Sequence, residues 1–206
     1  MSDTTLAVPA RAELPRGWFD SLTAYLPEAY RPKAVIAGGF AVRQQDATDI
    51  DLWIPAGGDY LQTYCDIKNH LVAAGHIPTP AALQEWVLEE VYPDGRHLVA
   101  TIKNALLGKD LQILVAEAPD AQALVDSFDL SVHALGLSKK DNENFLVHFG
   151  KDWTPASEPI KVLRFTTPQS TLDRLYKLAA RYGLTWDHEQ EGELVRKLPT
   201  EREEAA

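Results

Sequence analysis

The sequence predicts an α+β fold, and three observations carry that reading. Asp49-Ile50-Asp51-Leu52-Trp53-Ile54 opens with polar/apolar alternation, the period of a strand with one buried face. Residues 97–102 and 111–115 are β-rich runs around Gly108, which reads as an antiparallel hairpin. Residues 60–74 place Leu61, Tyr64, Ile67, Leu71 and Val72 at helical spacing.

The other elements follow in order. The first dozen residues show no periodic pattern and read as a loose arm. After Pro15, Trp18, Phe19, Leu22, Tyr25 and Leu26 recur at helical spacing, and Pro27 and Pro32 close that helix. Ala34-Val35-Ile36-Ala37 is an apolar run that stops at Gly38-Gly39, a strand running into a tight turn, and residues 40–43 begin a helix. Pro55 to Gly58 breaks the strand that starts at Asp49. Residues 81–91 suggest a short helix before a turn at Pro93-Asp94-Gly95. Residues 119–127 read as helix, 130–137 as a strand containing Ser131 and His133, and 139–144 as a polar turn. The last helix opens at Thr166-Thr167-Pro168, keeps Leu172, Leu175, Leu178 and Ala179 inside and Arg174, Lys177 and Arg181 outside, and ends at Gly183. Beyond Asp187 the sequence shows no apolar face worth burying and reads as a solvated tail.

Composition narrows the function. Among 206 residues, Asp and Glu outnumber Lys and Arg by 30 to 20, a formal charge of -10 that argues against non-specific coating of DNA or RNA. No apolar run approaches the roughly 20 residues of a membrane helix, and residues 1–5 lack the apolar stretch of a signal peptide. Cys65 is the single cysteine, which excludes a disulfide framework and a cysteine zinc cluster and points to a reducing, cytoplasmic setting. The six histidines show no close metal-ligand pairing, and neither a Gly-x-Ser-x-Gly motif nor a complete phosphate-loop lysine motif is present.

The chemistry concentrates at Gly38-Gly39 and Asp49-x-Asp51. Residues two apart on a strand share a face, so Asp49 and Asp51 present two carboxylates side by side. Like charges that close raise one pKa or demand a cation, and a hard divalent ion such as magnesium resolves the conflict with oxygen ligands while also holding phosphates. Glycine between a strand and a helix lets the backbone approach an anion, and the free N–H groups at the helix start attract it. A triphosphate fits between the two halves.

These residues carry a resemblance. Ala37-Gly38-Gly39-Phe40-Ala41-Val42-Arg43 followed by Asp49-Ile50-Asp51-Leu52 resembles the signature of the polymerase-beta-like nucleotidyltransferase superfamily, in particular its small bacterial and phage members and the head domain of tRNA CCA-adding enzymes. Those read Gly-Gly-x-x-Arg-Asp and then Asp-x-Asp. The likeness covers roughly residues 34 to 137, with Ser127-Phe128-Asp129-Leu130-Ser131 similar to the Phe-Asp strand of phage-type members and residues 171–177 extending it. It implies a mixed β-sheet flanked by helices with a C-terminal helical extension. It also implies Mg2+ held by Asp49 and Asp51, a nucleoside triphosphate as donor, and attack of an acceptor hydroxyl on RNA, protein or a small molecule with release of pyrophosphate. The expected organisation is an arm over residues 1–14, a nucleotidyltransferase-like domain over 15–150, a helical extension over 151–186 and an acidic tail over 187–206.

The third acid of that pattern is where the sequence departs. Gln112 stands at the matching position, and an amide neither takes up a proton nor brings charge to a metal. Asp110, two residues earlier on the same strand face, and Asp129 are the candidates to replace it, Asp129 having an equally good reading as a residue that caps an element. If neither does, the protein is a weak or inactive nucleotide-binding or interaction module. Arg43, Arg174 and Lys177 are candidate phosphate contacts, each also explained by a solvated helix face; Trp53 reads as core, with the edge of the pocket as the alternative.

Overall fold

The structure, a computed structural model, describes residues 14–43, 47–78, 91–92, 95–141, 144–155 and 157–198. In chain order the elements are α1 (Trp18–Thr23), β1 (Val35–Ala37), α2 (Gly39–Arg43), β2 (Asp49–Pro55), α3 (Tyr60–Ala73), β3 (Val91–Tyr92), β4 (Arg96–Leu106), β5 (Lys109–Ala116), α4 (Ala121–Asp126), β6 (Leu135–Lys139), β7 (Phe145–Phe149), α5 (Pro168–Tyr182) and α6 (His188–Arg196). The strands form one seven-stranded sheet in the order β3-β4-β5-β2-β1-β6-β7. It is mixed: β2 and β5 run parallel, and every other neighbouring pair is antiparallel.

Alternation along β2 divides the sheet into two faces. Ile50, Leu52 and Ile54 join Leu111, Ile113 and Val115 of β5 in a core closed by α1 and α3 through Leu22, Ile67 and Leu71. The odd residues face the other way, where Trp53 packs with Val35, Ala37, Leu114 and Ala116 beneath Leu124 and Val125 of α4. Asp49 and Asp51 share that second face with Trp53, at the end of the strand that α4 does not cover. A third core, with Leu130, Val132, Ile160 and Val162 against Leu172, Leu175 and Leu178, fixes α5 beside the half-buried acids.

Several sequence expectations need correction. The helix beginning at Trp18 stops at Thr23, and residues 28–33 form a 3-10 turn that contains Pro32. Residues 130–137 are not one strand: Leu130 makes an isolated bridge to Val162, Ser131–His133 is a 3-10 turn, and β6 starts only at Leu135. Two side-chain bonds favour that break, because Ser131 Oγ pairs with Thr154 and accepts from the Lys161 amide. The turn at 139–144 leads into β7, whose Phe145 stacks on Trp18. The expected helix over 81–91 lies mostly outside the described residues, and its last residue, Val91, belongs to β3. The tail reading also fails beyond Asp187. That residue caps α6 by accepting from the amides of Glu189 and Gln190, and Leu194 is fully buried in the third core. A single buried apolar side chain in nine residues carries too little periodicity to register as a buried face.

Candidate active site

Gly38 ends β1 in the left-handed region, with φ of 76°, and its carbonyl accepts from Val42 as α2 begins. Glycine adopts that conformation without steric cost. The antiparallel register sets Ala37 opposite Asp51, so the turn comes against the second acid. A Cβ built on Gly38 would lie 3.2 Å from Asp51 Oδ2. The bare bend and the acid pair are therefore in contact distance of one another.

A cavity of about 350 Å³ opens over them. Asp49, Asp51, Gln112 and Trp53 form its floor, while Arg174, Lys177 and Arg181 of α5 form the opposite wall. Arg96 and His133 also line it. Turns of the helix three and four residues apart put the three α5 cations on one side. They were expected on the outer face of the helix, and that outer face is the cavity wall.

Electrostatics across the cavity are uneven. Burial, then the charge of Asp49, pushes the Asp51 carboxyl up from 3.8 to about 7, with Arg96 and Arg174 pulling it back. Burial is the larger cause, so the site holds an acid whose charged form is short of solvation and would gain from a cation.

The parallel pairing of β2 and β5 decides the third position. Asp49 stands opposite Asp110 and Asp51 opposite Gln112. Gln112 donates through Nε2 to Asp49 Oδ2 at 3.3 Å. Asp110 is drawn away: Lys103 Nζ donates to it at 2.6 Å and the Asn104 amide at 3.2 Å, which holds its carboxyl below the usual range. It does not line the cavity, so the strand shift that would bring it in is absent. Asp129 is also elsewhere, buried between the sheet and α5, where its Oδ2 accepts from Thr171 Oγ1 at 2.6 Å and from Arg174 Nη2. The Arg43 side chain lies outside the described residues.

Sequence reasoning did not single out Arg96 or His133 as contacts of this pocket. Arg96 comes from the first residue of β4, packed over the Trp53 ring at 5.9 Å, and only the β4–β5 register brings it across the sheet. His133 sits in the 3-10 turn that was read as strand. Trp53 satisfies both of its readings, 2% exposed and in edge contact with Phe128 while lining the cavity.

The fold is an α+β domain: a mixed sheet flanked by helices, with a glycine bend and paired acids on one edge of a cavity. Among solved structures, a tRNA-processing enzyme in an apo form shares it with a TM-score of 0.52 and 16% identity, covering 89% of this chain and 47% of that one. The chain thus spans about half the length of that enzyme. No protein-family model matches the chain, and no curated protein matches it in sequence. Among the described residues no helix is long and apolar enough to cross a membrane.

Proposed function

We propose that the cavity binds a nucleoside triphosphate with Mg2+ and that the protein transfers the nucleoside monophosphate to an acceptor hydroxyl, releasing pyrophosphate. The observation that carries this reading is the contact between the Gly38 bend and Asp51 on the floor of a cavity whose far wall is cationic. Acids and bases segregated to opposite sides suit a ligand that is itself a cation joined to a polyanion.

The donor set tests the metal. Two carboxylates on one strand face, one of them poorly solvated, fit a hard divalent ion that phosphate oxygens also ligate. Among the described residues no group of three His, Cys, Asp or Glu side chains gathers to hold a metal, so a cage built from protein alone does not fit. Asp49 and Asp51 would hold the ion, and when bound it would neutralise phosphate charge and favour departure of pyrophosphate. Arg174, Lys177 and Arg181 face the phosphate chain, the arginines with planar forks suited to paired oxygens. Gly38 and Gly39 leave the backbone free to approach the same chain.

Gln112 favours a second reading, a nucleotide-binding module with weak or no transfer. Its amide cannot take the proton of an acceptor hydroxyl, and Asp110 is tied to Lys103. RNA is one acceptor class for the catalytic reading, and a protein or small-molecule hydroxyl is another. Calorimetric titration of magnesium-ATP and magnesium-CTP against the wild type, Asp49→Ala and Asp51→Ala tests the site. Binding lost in both variants supports it; equal binding by all three proteins overturns it. Pyrophosphate release with candidate acceptors then separates the enzyme from the module.

A further inference from the structure

Asp129 is a buried carboxylate that touches neither the cavity nor its acids, yet it grips a residue that lines the cavity. Its Oδ2 receives both Thr171 Oγ1 and one terminal nitrogen of Arg174, two residues one turn apart on α5. Arg174 has reason to go elsewhere. Its charge already reaches Asp51, whose carboxyl it helps to lower, and Asp49 lies on the same cavity floor. A guanidinium is a long-stemmed, permanently charged fork that matches carboxylates in pairs. Released from Asp129, it has the two acids of the cavity floor to join across an open space.

We propose that Asp129 is a positioning residue: by holding Arg174 against α5 it keeps that guanidinium out of the Asp49–Asp51 pair, leaving the acids open to a divalent cation and the arginine open to phosphate. The inference rests on the reading of the acid pair as a cation site given above. It replaces the expectation that Asp129 completes the acid set. One oxygen of Asp129 accepts two bonds from the helix, and the Arg174 Nε is left buried without a hydrogen-bond partner at the cavity wall, a donor that a phosphate oxygen would satisfy. The anchor and the cation binder are thus distinct carboxylates from separate parts of the chain, and α5 carries a cation, Arg174, that interacts with both.

Mn2+ titration by calorimetry, with melting curves as a control for folding, tests this on five proteins: wild type, Asp51→Asn, Asp129→Asn, Asp129→Glu and the double variant Asp129→Asn/Arg174→Met. Loss of a carboxylate behind a metal site costs about 10-fold or more in affinity when it acts through a neighbour. Asp129→Asn is expected to weaken Mn2+ by that factor, and the double variant is expected to recover wild-type affinity because the freed guanidinium is gone. Asp129→Glu keeps the charge and is expected to bind within about 3-fold of wild type, well inside the loss for the asparagine variant. Should Asp129→Asn fail to fold, the double variant, which removes both buried partners, and Asp129→Glu carry the test: weak Mn2+ binding by either overturns the proposal. Wild-type affinity in Asp129→Asn overturns it too, as does a double variant no better than that single one. If Asp51→Asn binds Mn2+ as well as wild type does, or wild type binds none, the acid-pair reading fails and takes this inference with it. If Asp51→Asn loses binding and Asp129→Asn does not, only this inference falls.

Discussion

Replacing Asp51 by asparagine should stabilise the protein in a way that depends on pH. Raising a buried carboxyl from 3.8 to about 7 means that its ionised form costs the native state about 4 kcal/mol. The sign follows from proton counts. Between those values the native state holds a proton that the unfolded chain has released, so stability falls as pH rises from 4 to 7 and the full cost is present above 7. An asparagine in its place never ionises, so the gap between variant and wild type should widen from pH 5 to pH 8. For a chain of this size each kcal/mol moves the melting temperature by about 2–4 °C, which sets an upper bound of about 16 °C on the gain at pH 8. A constant cost of burying the amide cancels in the comparison between the two pH values. Circular dichroism melts in magnesium-free buffer measure the gap, and the same gap at pH 5 and pH 8 would refute the argument. Magnesium should then raise the wild type at pH 8 and leave Asp51→Asn behind.

Three further outcomes are expected. Gly38→Ala forces an alanine to φ of 76° and places its Cβ 3.2 Å from Asp51 Oδ2, so urea denaturation should show a loss of about 1–2 kcal/mol and nucleotide titration a weaker site. Gln112→Glu adds a negative charge against Asp49: melting temperature should drop without divalent ions, and Mn2+ affinity should rise by about 10-fold, read by calorimetry. Leu194→Ala should cost about 2–4 kcal/mol, measured by chemical denaturation, because that side chain is fully buried; a cost near zero would return α6 to the solvated tail that its sequence suggests.

Much of the frame was legible from local pattern. Alternation at residues 49–54, the apolar run before Gly38, the hairpin around Gly108 and the amphipathic stretch from Pro168 correspond to β2, β1, the β4–β5 pair and α5, because each buries a face through its own residues. The failures share a cause in long-range partners. The break between Asp129 and Leu135 depends on hydrogen bonds from Thr154 and Lys161, and β7 depends on an antiparallel neighbour and on Trp18. The site divides the same way. Asp49 and Asp51 could be paired from their spacing alone, and the bend was evident from its glycines. The destinations of Asp110 and Asp129 were hidden, since Lys103, Thr171 and Arg174 decide them through register and helix packing.

The cavity joins distant parts of the chain. Its acids come from β2, Gln112 lies 63 residues later than the Asp49 it touches, and the cationic wall belongs to α5, beyond residue 167. During synthesis the carboxylates therefore leave the ribosome well ahead of their counterweight, and in that interval the acid pair has no cationic wall opposite it. Nucleotide capture would be a late event in biogenesis, available only after α5 has emerged and docked, and a chain stalled before that helix would carry the signature residues without the means to grip a polyphosphate.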